Sequence, residues 1–380
     1  MEINIIRGII KTTLPQSQKD KPKGGSNMKK ILKIIAAILV CLCAAFAALL
    51  LFLSATEYRP EEITAVSPEG NASETVKSGD TIRVLTWNIG YGALGSNANF
   101  FMDGGKMVRT ADRERVLSNI TAIADEIREE APDIVFLQEA DQNSGRSHHI
   151  DETAFFREQF SGMESAFALN YSVKFVPYPF PPIGQVNSGI QTLSNYAASE
   201  VSRIQLPCPF SWPVRLGNLK RCLLINRIPV ENSDRELVLI NLHLEAYDDG
   251  EGKAAQTAML KEYLEKEAAA GNYVIAGGDF NQTFSNQDQS AYEAQEGKWK
   301  PGIIDTGEFD GSLQFLMDSS VPSCRSLDQV YDGADQESFQ YYLIDGFIVS
   351  GNLAVKYVTG IDCKFQNTDH NPVMLELRLE

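Results

Sequence analysis

Along this 380-residue chain, short apolar runs repeatedly stop on an acid, an amide or an imidazole, and this pattern restricts the folds open to it. The stretch "VIAGGDFNQTF", Val274 to Phe284, is the sharpest case. An apolar run meets two glycines, and then Asp279 and Asn281 follow two positions apart. Side chains alternate between faces of an extended chain, so the pair points the same way if strand geometry continues past the glycines. Taken alone, the pair also fits an Asx turn, in which both side chains bond local backbone. The rest of the chain supplies company. "TIRVLTWNIGYG" ends its alternation at Trp87 and Asn88, "DIVFLQEAD" closes on Gln138 and Glu139, and "RELVLINLHLEAYDDG" delivers His243. Farther on, "YYLIDGFIVS" sets Asp345 in an apolar run, and "NTDHNPVMLELRL" sets Asp369 and His370 just before a final alternating strand.

Helical patterns separate these runs. From Arg109 to Glu130, Val116, Ile120, Ile123 and Ile127 share one helical face, and Pro132 marks the close. A second helix is expected from about Lys253 to Ala270, ended by Gly271 and leading into Val274. "RCLLINRIPV" and "RELVLINLHLEAYDDG" read as strands joined by the turn "ENSD". Tyr171 to Arg227 reads as irregular, with the Pro- and aromatic-rich loops "VPYPFPPIG" and "LPCPFSWPVRLG" around the strand-like "SGIQTLSNY". Hairpins alternating with helical crossovers from Thr81 to Glu380 predict one α/β domain of layered sheets covered by helices.

The amino-terminal part follows different rules. Ile34 to Leu53 is a run of twenty residues without a charge, flanked by Lys29, Lys30 and Lys33. That length spans a bilayer as a helix. The lysines predict a cytoplasmic segment 1–33, an anchor 34–53, a polar tether 54–80 and an extracytoplasmic domain 81–380. The alternative is secretion after signal cleavage, although a signal's apolar region is only about 7–15 residues and Ser54 and Ala55 offer a weak cleavage site. Residues 1–27 contain no periodic element, while "MKKILKIIAA" from Met28 looks like the start of an exported protein. "KGGSNM" fits a purine-rich ribosome-binding stretch just ahead of that methionine, so translation is expected to begin at Met28.

Charge narrows the partners. Residues 1–33 hold eight Lys and Arg and two Asp and Glu, against 34 and 50 in the whole chain, which leaves the remainder at −22. Nonspecific nucleic-acid affinity comes from phosphate neutralisation by Lys and Arg, so this balance disfavours a processive nuclease. Cys41 and Cys43 lie in the apolar run; Cys208, Cys222, Cys324 and Cys363 can pair in three ways or stay reduced. No Cys or His zinc spacing is present.

The ordered set "LTWNIG", "DIVFLQE", "NLHLEA", "GGDFN", "LIDGFIV" and "TDHNPV" resembles the endonuclease/exonuclease/phosphatase family of metal-dependent phosphoester hydrolases, over about Thr81 to Glu380. The resemblance implies a four-layer α/β sandwich, two packed mixed β-sheets with helices on the outer faces and the motifs meeting at one edge. It also implies roles. Glu139, helped by Asn88 and completed or alternated by Asp369, would hold a hard cation, Mg²⁺ or alternatively Mn²⁺. Asp279 would orient and deprotonate the attacking water while Asn281 holds a phosphoryl oxygen or the nucleophile. His370 would contact the phosphoryl group, its tautomer fixed by Asp345, and His243 would be a second cationic or acidic contact on the leaving-group side. A His at position 243 resembles the secreted-nuclease and sphingomyelinase-like branches more than the abasic-site repair branch.

The resulting expectation is a membrane-anchored extracytoplasmic Mg²⁺-dependent phosphodiesterase acting on a phospholipid headgroup or inositol phosphate, with nucleic acid as a further substrate class. The alternatives are a secreted or surface endonuclease and a catalytically silent surface-binding module. The membrane and the substrate are the expected partners, with no obligate protein partner evident. If the substrate is a lipid, apolar loops such as "FFMDGGKM", Phe100 to Met107, are suited to enter the interface.

Overall fold

The computed structural model describes residues 24–248 and 250–380. Residues 1–23, most of the segment expected to precede the true start, lie outside the described residues. The chain divides after Phe52 into an amino-terminal helical unit and a domain, Leu53–Glu380. Helix α1 (Gly24–Ala55) contains a 29-residue stretch, Asn27–Ala55, long and apolar enough to cross a membrane.

Strands are numbered in chain order. The first sheet has seven, in the spatial order β1 (Ile63–Ala65), β6 (Glu200–Gln205), β7 (Cys222–Pro229), β8 (Glu236–His243), β9 (Tyr273–Asp279), β15 (Asp345–Val349) and β12 (Gln314–Leu316). The second has six: β16 (Leu353–Gly360), β17 (Val373–Leu379), β2 (Thr81–Asn88), β3 (Ile134–Asp141), β5 (Gly184–Ser194) and β4 (Glu164–Val176). Two short ribbons, β10 (Gln282–Phe284) with β11 (Gly302–Ile304) and β13 (Cys324–Arg325) with β14 (Tyr341–Tyr342), lie outside both.

Alternation along the strands builds the layers. On β2, Ile82 and Val84 join Phe136, Leu239, Ile275 and Phe347 in a core shared by the two sheets. Its other face, Leu85 and Trp87, packs on Val116, Ile120 and Ile123 of α2 (Arg113–Glu130) and Phe156 of α3 (Glu152–Gln159). The seven-stranded sheet is covered likewise: Ile240, Leu242, Val274 and Ala276 meet Leu260 and Leu264 of α4 (Glu251–Ala269). Both faces of the central strands are buried, which is why they read as nearly continuous apolar runs. The result is the four-layer α/β sandwich. At Gly277, an added Cβ would come within 2.5 Å of the Phe347 ring and 3.2 Å of Phe136 on the opposite sheet, so a glycine lets the two sheets close here.

Topology gathers the polar strand ends. Each sheet has a parallel pair joined through a helix, β2–α2–β3 in one and β8–α4–β9 in the other. The carboxyl ends of these pairs carry Asn88 and Glu139, and His243 and Asp279. Strand β15 runs antiparallel to β9, so it brings its first residue, Asp345, opposite Asp279. Likewise β17 is antiparallel to β2, which puts Asp369 and His370, just ahead of it, at the same edge. Parallel strands contribute their ends and antiparallel strands their beginnings.

Two sequence expectations are corrected. Residues 54–80 are not a free tether: Ile63–Ala65 pair with Arg203 and its neighbours in β6, Glu69 bridges Ser165, and Val76 is fully buried. Its polar composition hid an edge strand that needs only one buried face. Tyr171–Arg227 is also more regular than its prolines suggest, since β4 and β5 form a long antiparallel ribbon. Its partly exposed face carries Ser172 and Lys174, which mask the strand period.

Candidate active site

The site begins with the way "GGDFN" ends β9. Asp279 is the last strand residue, and Asn281 adopts the left-handed conformation at φ 49°. The Asn281 N–H bonds Asp279 Oδ1 at 2.9 Å, an Asx turn, so extended geometry does not continue through Asn281 as strand alternation predicts. The turn and the chemistry share one carboxylate. Oδ1 is held by backbone, whereas Oδ2 accepts from Asn88 Nδ2 at 3.0 Å and lies 3.4 Å from His243 Nε2 and 3.9 Å from His370 Nε2. Asn281 donates its side-chain amide to Leu244 O at 2.9 Å, which leaves its amide oxygen for a ligand.

Sheet register aligns the row. His243 and Asp345 both stand opposite Asp279, on β8 and β15. Asp345 Oδ2 bonds His370 Nδ1 at 2.8 Å, and its Oδ1 is buried without a partner. The backbone of His370 is fixed from behind by Trp87 Nε1, which donates to His370 O at 2.9 Å. Burial by itself would depress the His370 imidazole. The Asp345 carboxylate and the Cys324 thiol outweigh it and raise His370 well above its ordinary pKa. His243 goes the opposite way: burial, then the Arg221 charge, hold it well below. Its Nδ1 has no partner. The two imidazoles are thus pushed in opposite directions, His370 toward its protonated form and His243 toward its neutral form.

On the six-stranded sheet, a bulge between Leu137 and Ala140 sets Glu139 at φ 56°, turning its side chain out of the strand's alternation. Asn88 Nδ2 reaches Glu139 Oε1 at 3.4 Å, while Asn88 Oδ1 accepts from Gly90 N at 3.1 Å. Asn88 Oδ1 keeps a second lone pair, so the amide remains available beside the carboxylates. Burial pushes both Glu139 and Asp369 above the usual carboxylate range, and Asp369 adds its charge to Glu139. Buried oxygens that repel one another suit a hard divalent cation, which takes one or two carboxylates and keeps waters. Asp279, Asp345 and His370, and also Cys324, Asp369 and His370, bring potential ligand atoms within 4.8 Å of one another; Glu139 is in neither set.

A cavity of about 420 Å³ opens over this edge, and Asn88, Glu139, His243, Asp279, Asn281, Asp369 and His370 all line it. Asp345 does not; it stands behind His370. Sequence reasoning missed other members. Arg146 stacks 3.6 Å over the Tyr91 ring and grips Asp141 at 2.9 and 3.1 Å. Arg221 reaches Glu245 at 3.3 Å and His243 O at 3.1 Å. Cys324 pairs through β13 with the strand preceding Asp345 and bridges His370. Arg146 could have been found as a charge seven residues past Glu139; Arg221 and Cys324 lie in none of the motifs and had no local signal. All four cysteines of the domain are free, so none of the three pairings forms.

No curated protein matches the chain by sequence. Among solved structures, the endonuclease/exonuclease/phosphatase from Beutenbergia cavernae DSM 12333 is similar at 19% identity and TM-score 0.54, over 79% of this chain and 72% of that one. ANGEL2, a 2',3'-cyclic phosphatase, aligns at 14% identity and TM-score 0.51, over 83% and 99%. D. rerio TDP2, complexed with single strand DNA product, aligns at 13% identity and TM-score 0.50, over 79% and 99%. The model of the Endonuclease/Exonuclease/phosphatase family matches residues 85–330. That span takes in the ends of β2, β3, β8 and β9 from which the site is built, and the chain belongs to the endonuclease/exonuclease/phosphatase family of phosphoester hydrolases, whose enzymes are generally divalent-metal dependent.

Proposed function

We propose that the chain is a membrane-anchored enzyme that hydrolyses the phosphodiester of phospholipid headgroups or similar small phosphoesters outside the cytoplasm, with Mg²⁺ as its metal and Mn²⁺ as a substitute. The residues up to Lys33 are assigned to the cytoplasm and 34–53 to the anchor. One observation carries the choice of substrate: the cationic side chains of the cleft are already engaged. Arg146 is held by Asp141, Arg221 by Glu245, and Arg325 by the carbonyls of Gly95 and Ser326. A nucleic-acid groove needs free Lys and Arg along the backbone path. Here the wall is instead Phe100, Phe101, Met102 and Tyr178.

The entry of the chain into the domain supports the membrane reading. Trp212 Nε1 donates to Ser54 Oγ at 3.2 Å, and the Glu57 carboxylate takes Arg59 at 2.9 Å and Arg215 at 3.1 Å. The 207–221 loop so engaged also lines the cleft through Phe210, Gly217, Asn218 and Leu219. Phe180 and Trp212 are 96% and 53% exposed, as residues that enter a lipid interface must be.

Glu139 and Asp369 would hold the metal. When bound, it neutralises charge on the phosphoryl oxygens. Asp279 Oδ2 accepts the proton of the attacking water, because Oδ1 is already committed to Asn281 N–H. Asn281 steadies that water through its amide oxygen. His370, kept as imidazolium by Asp345, donates from Nε2 to a phosphoryl oxygen as charge develops. The departing oxygen takes up one proton, and neutral His243, whose Nε2 lies 3.4 Å from Asp279 Oδ2, would pass it on from Asp279, so the proton drawn from the water ends on the leaving alcohol. The test is a panel of plasmid DNA, RNA, sphingomyelin and phosphatidylcholine vesicles and inositol phosphates, each with Mg²⁺ and with EDTA. EDTA-sensitive cleavage of phospholipid ahead of DNA and RNA is expected. Preferred cleavage of DNA would establish the endonuclease reading, and inertness toward every substrate the silent module.

A further inference from the structure

Beyond the reacting edge, one wall of the cavity is aromatic and carries a lone carboxylate. Tyr247, four residues past His243, sits 6.5 Å from Trp299, and Trp299 packs edge-on at 5.1 Å against Tyr342. Asp103 enters from the 99–107 loop, where its Oδ1 accepts from Tyr247 OH at 2.9 Å. All four line the same cavity as the catalytic edge. Among the described residues, no Lys, Arg or His forms an ion pair with Asp103; the nearby lysines Lys253 and Lys298 are paired with Asp248 and Asp328.

These groups are held ready. Trp299 Nε1 donates to Ala246 O at 3.0 Å, and Lys253 Nζ bonds the same carbonyl at 2.7 Å. Glu245 accepts the backbone N–H of both Ala246 and Tyr247 at 3.1 and 3.2 Å. The loop that bears Tyr247 is thereby tied to the ring it faces. Lys253 Nζ already lies 5.9 Å from the Trp299 centroid, an interaction the electron-rich indole face favours. Aromatic faces grouped around one carboxylate attract an organic cation that has no N–H to donate, since its methyl groups contact rings and its charge meets the acid.

We propose that Asp103, Tyr247, Trp299 and Tyr342 form a subsite for a quaternary ammonium group carried by the substrate, of the kind choline presents. It deepens the phospholipid reading and rests on it for the class of substrate. The subsite shares one cavity with the reacting edge, so the cation belongs to a part of the substrate outside the reacting phosphoryl group. An anionic or neutral headgroup gains nothing there. The wall would also repel a polyphosphate backbone through Asp103.

The test measures binding and turnover separately. Full-length protein in detergent is titrated with choline chloride at constant ionic strength, followed by saturation transfer to the choline methyl protons. Saturable binding is expected, weakened at least about 10-fold in Asp103→Asn and in Trp299→Leu, whereas Ile303→Ser, at a 64% exposed position outside the cavity, leaves it unchanged. Asp103→Asn removes charge from a partly exposed loop, so it remains informative should Trp299→Leu fail to fold. In parallel, cleavage of phosphatidylcholine and phosphatidylglycerol is compared in mixed micelles, with a larger KM penalty for phosphatidylcholine expected in Asp103→Asn. Absence of choline binding, or equal binding by both variants, overturns the subsite even if phospholipids are cleaved. Choline binding that depends on these residues, without any phospholipid cleavage, upholds the subsite and overturns the phospholipid reading.

Discussion

The two helical crossover units deliver the same kind of cargo by different means. In the seven-stranded sheet, β8 and β9 end in register, and His243, Asp279 and Asp345 form a straight row across three strands. In the six-stranded sheet, β2 and β3 end less regularly: Asn88 stands opposite Gln138, and Glu139 reaches the cleft only because a bulge breaks the pairing. A row of fixed spacing suits proton transfer, where tenths of an ångström matter. A bulged carboxylate can adjust to a cation and its waters. On the proposed roles this is a division of labour, with a metal half and a proton half joined at Asn88, which touches both Glu139 and Asp279.

The sharpest way to break that division is to disable each half. Asp279→Asn should lower kcat by roughly 10³–10⁴-fold at any Mg²⁺ concentration. Glu139→Gln should cause a loss of similar size near 1 mM Mg²⁺ (order of magnitude), but one that recedes as Mg²⁺ rises. If extra metal rescued both or neither, the two halves would not be distinct. Next in size, His370→Ala and Asp345→Asn should each cost about 10²–10³-fold, and the double variant little more than the worse single one, because they act as one charge-assisted pair. Multiplying defects would separate them.

A third prediction concerns what supports the metal half. Arg146→Met leaves the fully buried Asp141 carboxylate without its ion pair, next to Glu152, and should destabilise the domain by about 3 kcal/mol in a denaturant melt. The proton half has its own buried arginine pair, Arg221 with Glu245, but its arginine comes from just ahead of β7 and not from the β8–α4–β9 crossover. A melt unchanged by the substitution would remove this asymmetry.

Smaller effects test the rim. Burial pushes Asp103 up to about 6, above its ordinary value near 3.8, so the folded protein binds this proton more tightly than the unfolded chain. Its contribution to stability is complete below about pH 4 and lost as pH rises through about 6. Asp103→Asn should flatten stability across that window and, in metal-free protein, add on the order of 1 kcal/mol at pH 7. Smallest of all, Phe180→Ser with Trp212→Ser should lower turnover of vesicle phospholipid by roughly 3- to 10-fold while sparing a short soluble phosphodiester. Equal loss on both substrates would assign these side chains to the fold.

Much of this arrangement was legible in sequence because it is local. Each strand-end motif is a short apolar run plus one polar residue, and the parallel and antiparallel strand directions do the assembling. Asn281 shows the limit: spacing placed it beside Asp279, but its left-handed turn lies outside strand alternation. Glu139 was found by its motif although its bulge was not. Cys324, on the two-residue strand β13, and Trp299, on a loop, are placed by distant packing, so neither periodicity nor spacing marks them, and Arg146 was marked only by its nearness to Glu139. The 54–80 segment misled for the opposite reason, its polarity concealing Ile63–Ala65 as an edge strand and the buried Val76.

The Asx turn at Asp279 has a thermodynamic consequence. A carboxylate free to rotate offers either oxygen to a water and must be frozen at the moment of reaction. Here one oxygen is tied to the chain and the other is flanked by an amide and two imidazoles, so the ordering is completed when the domain folds. Turnover then draws little on activation entropy at the base, and the temperature dependence of kcat should be governed mainly by enthalpy.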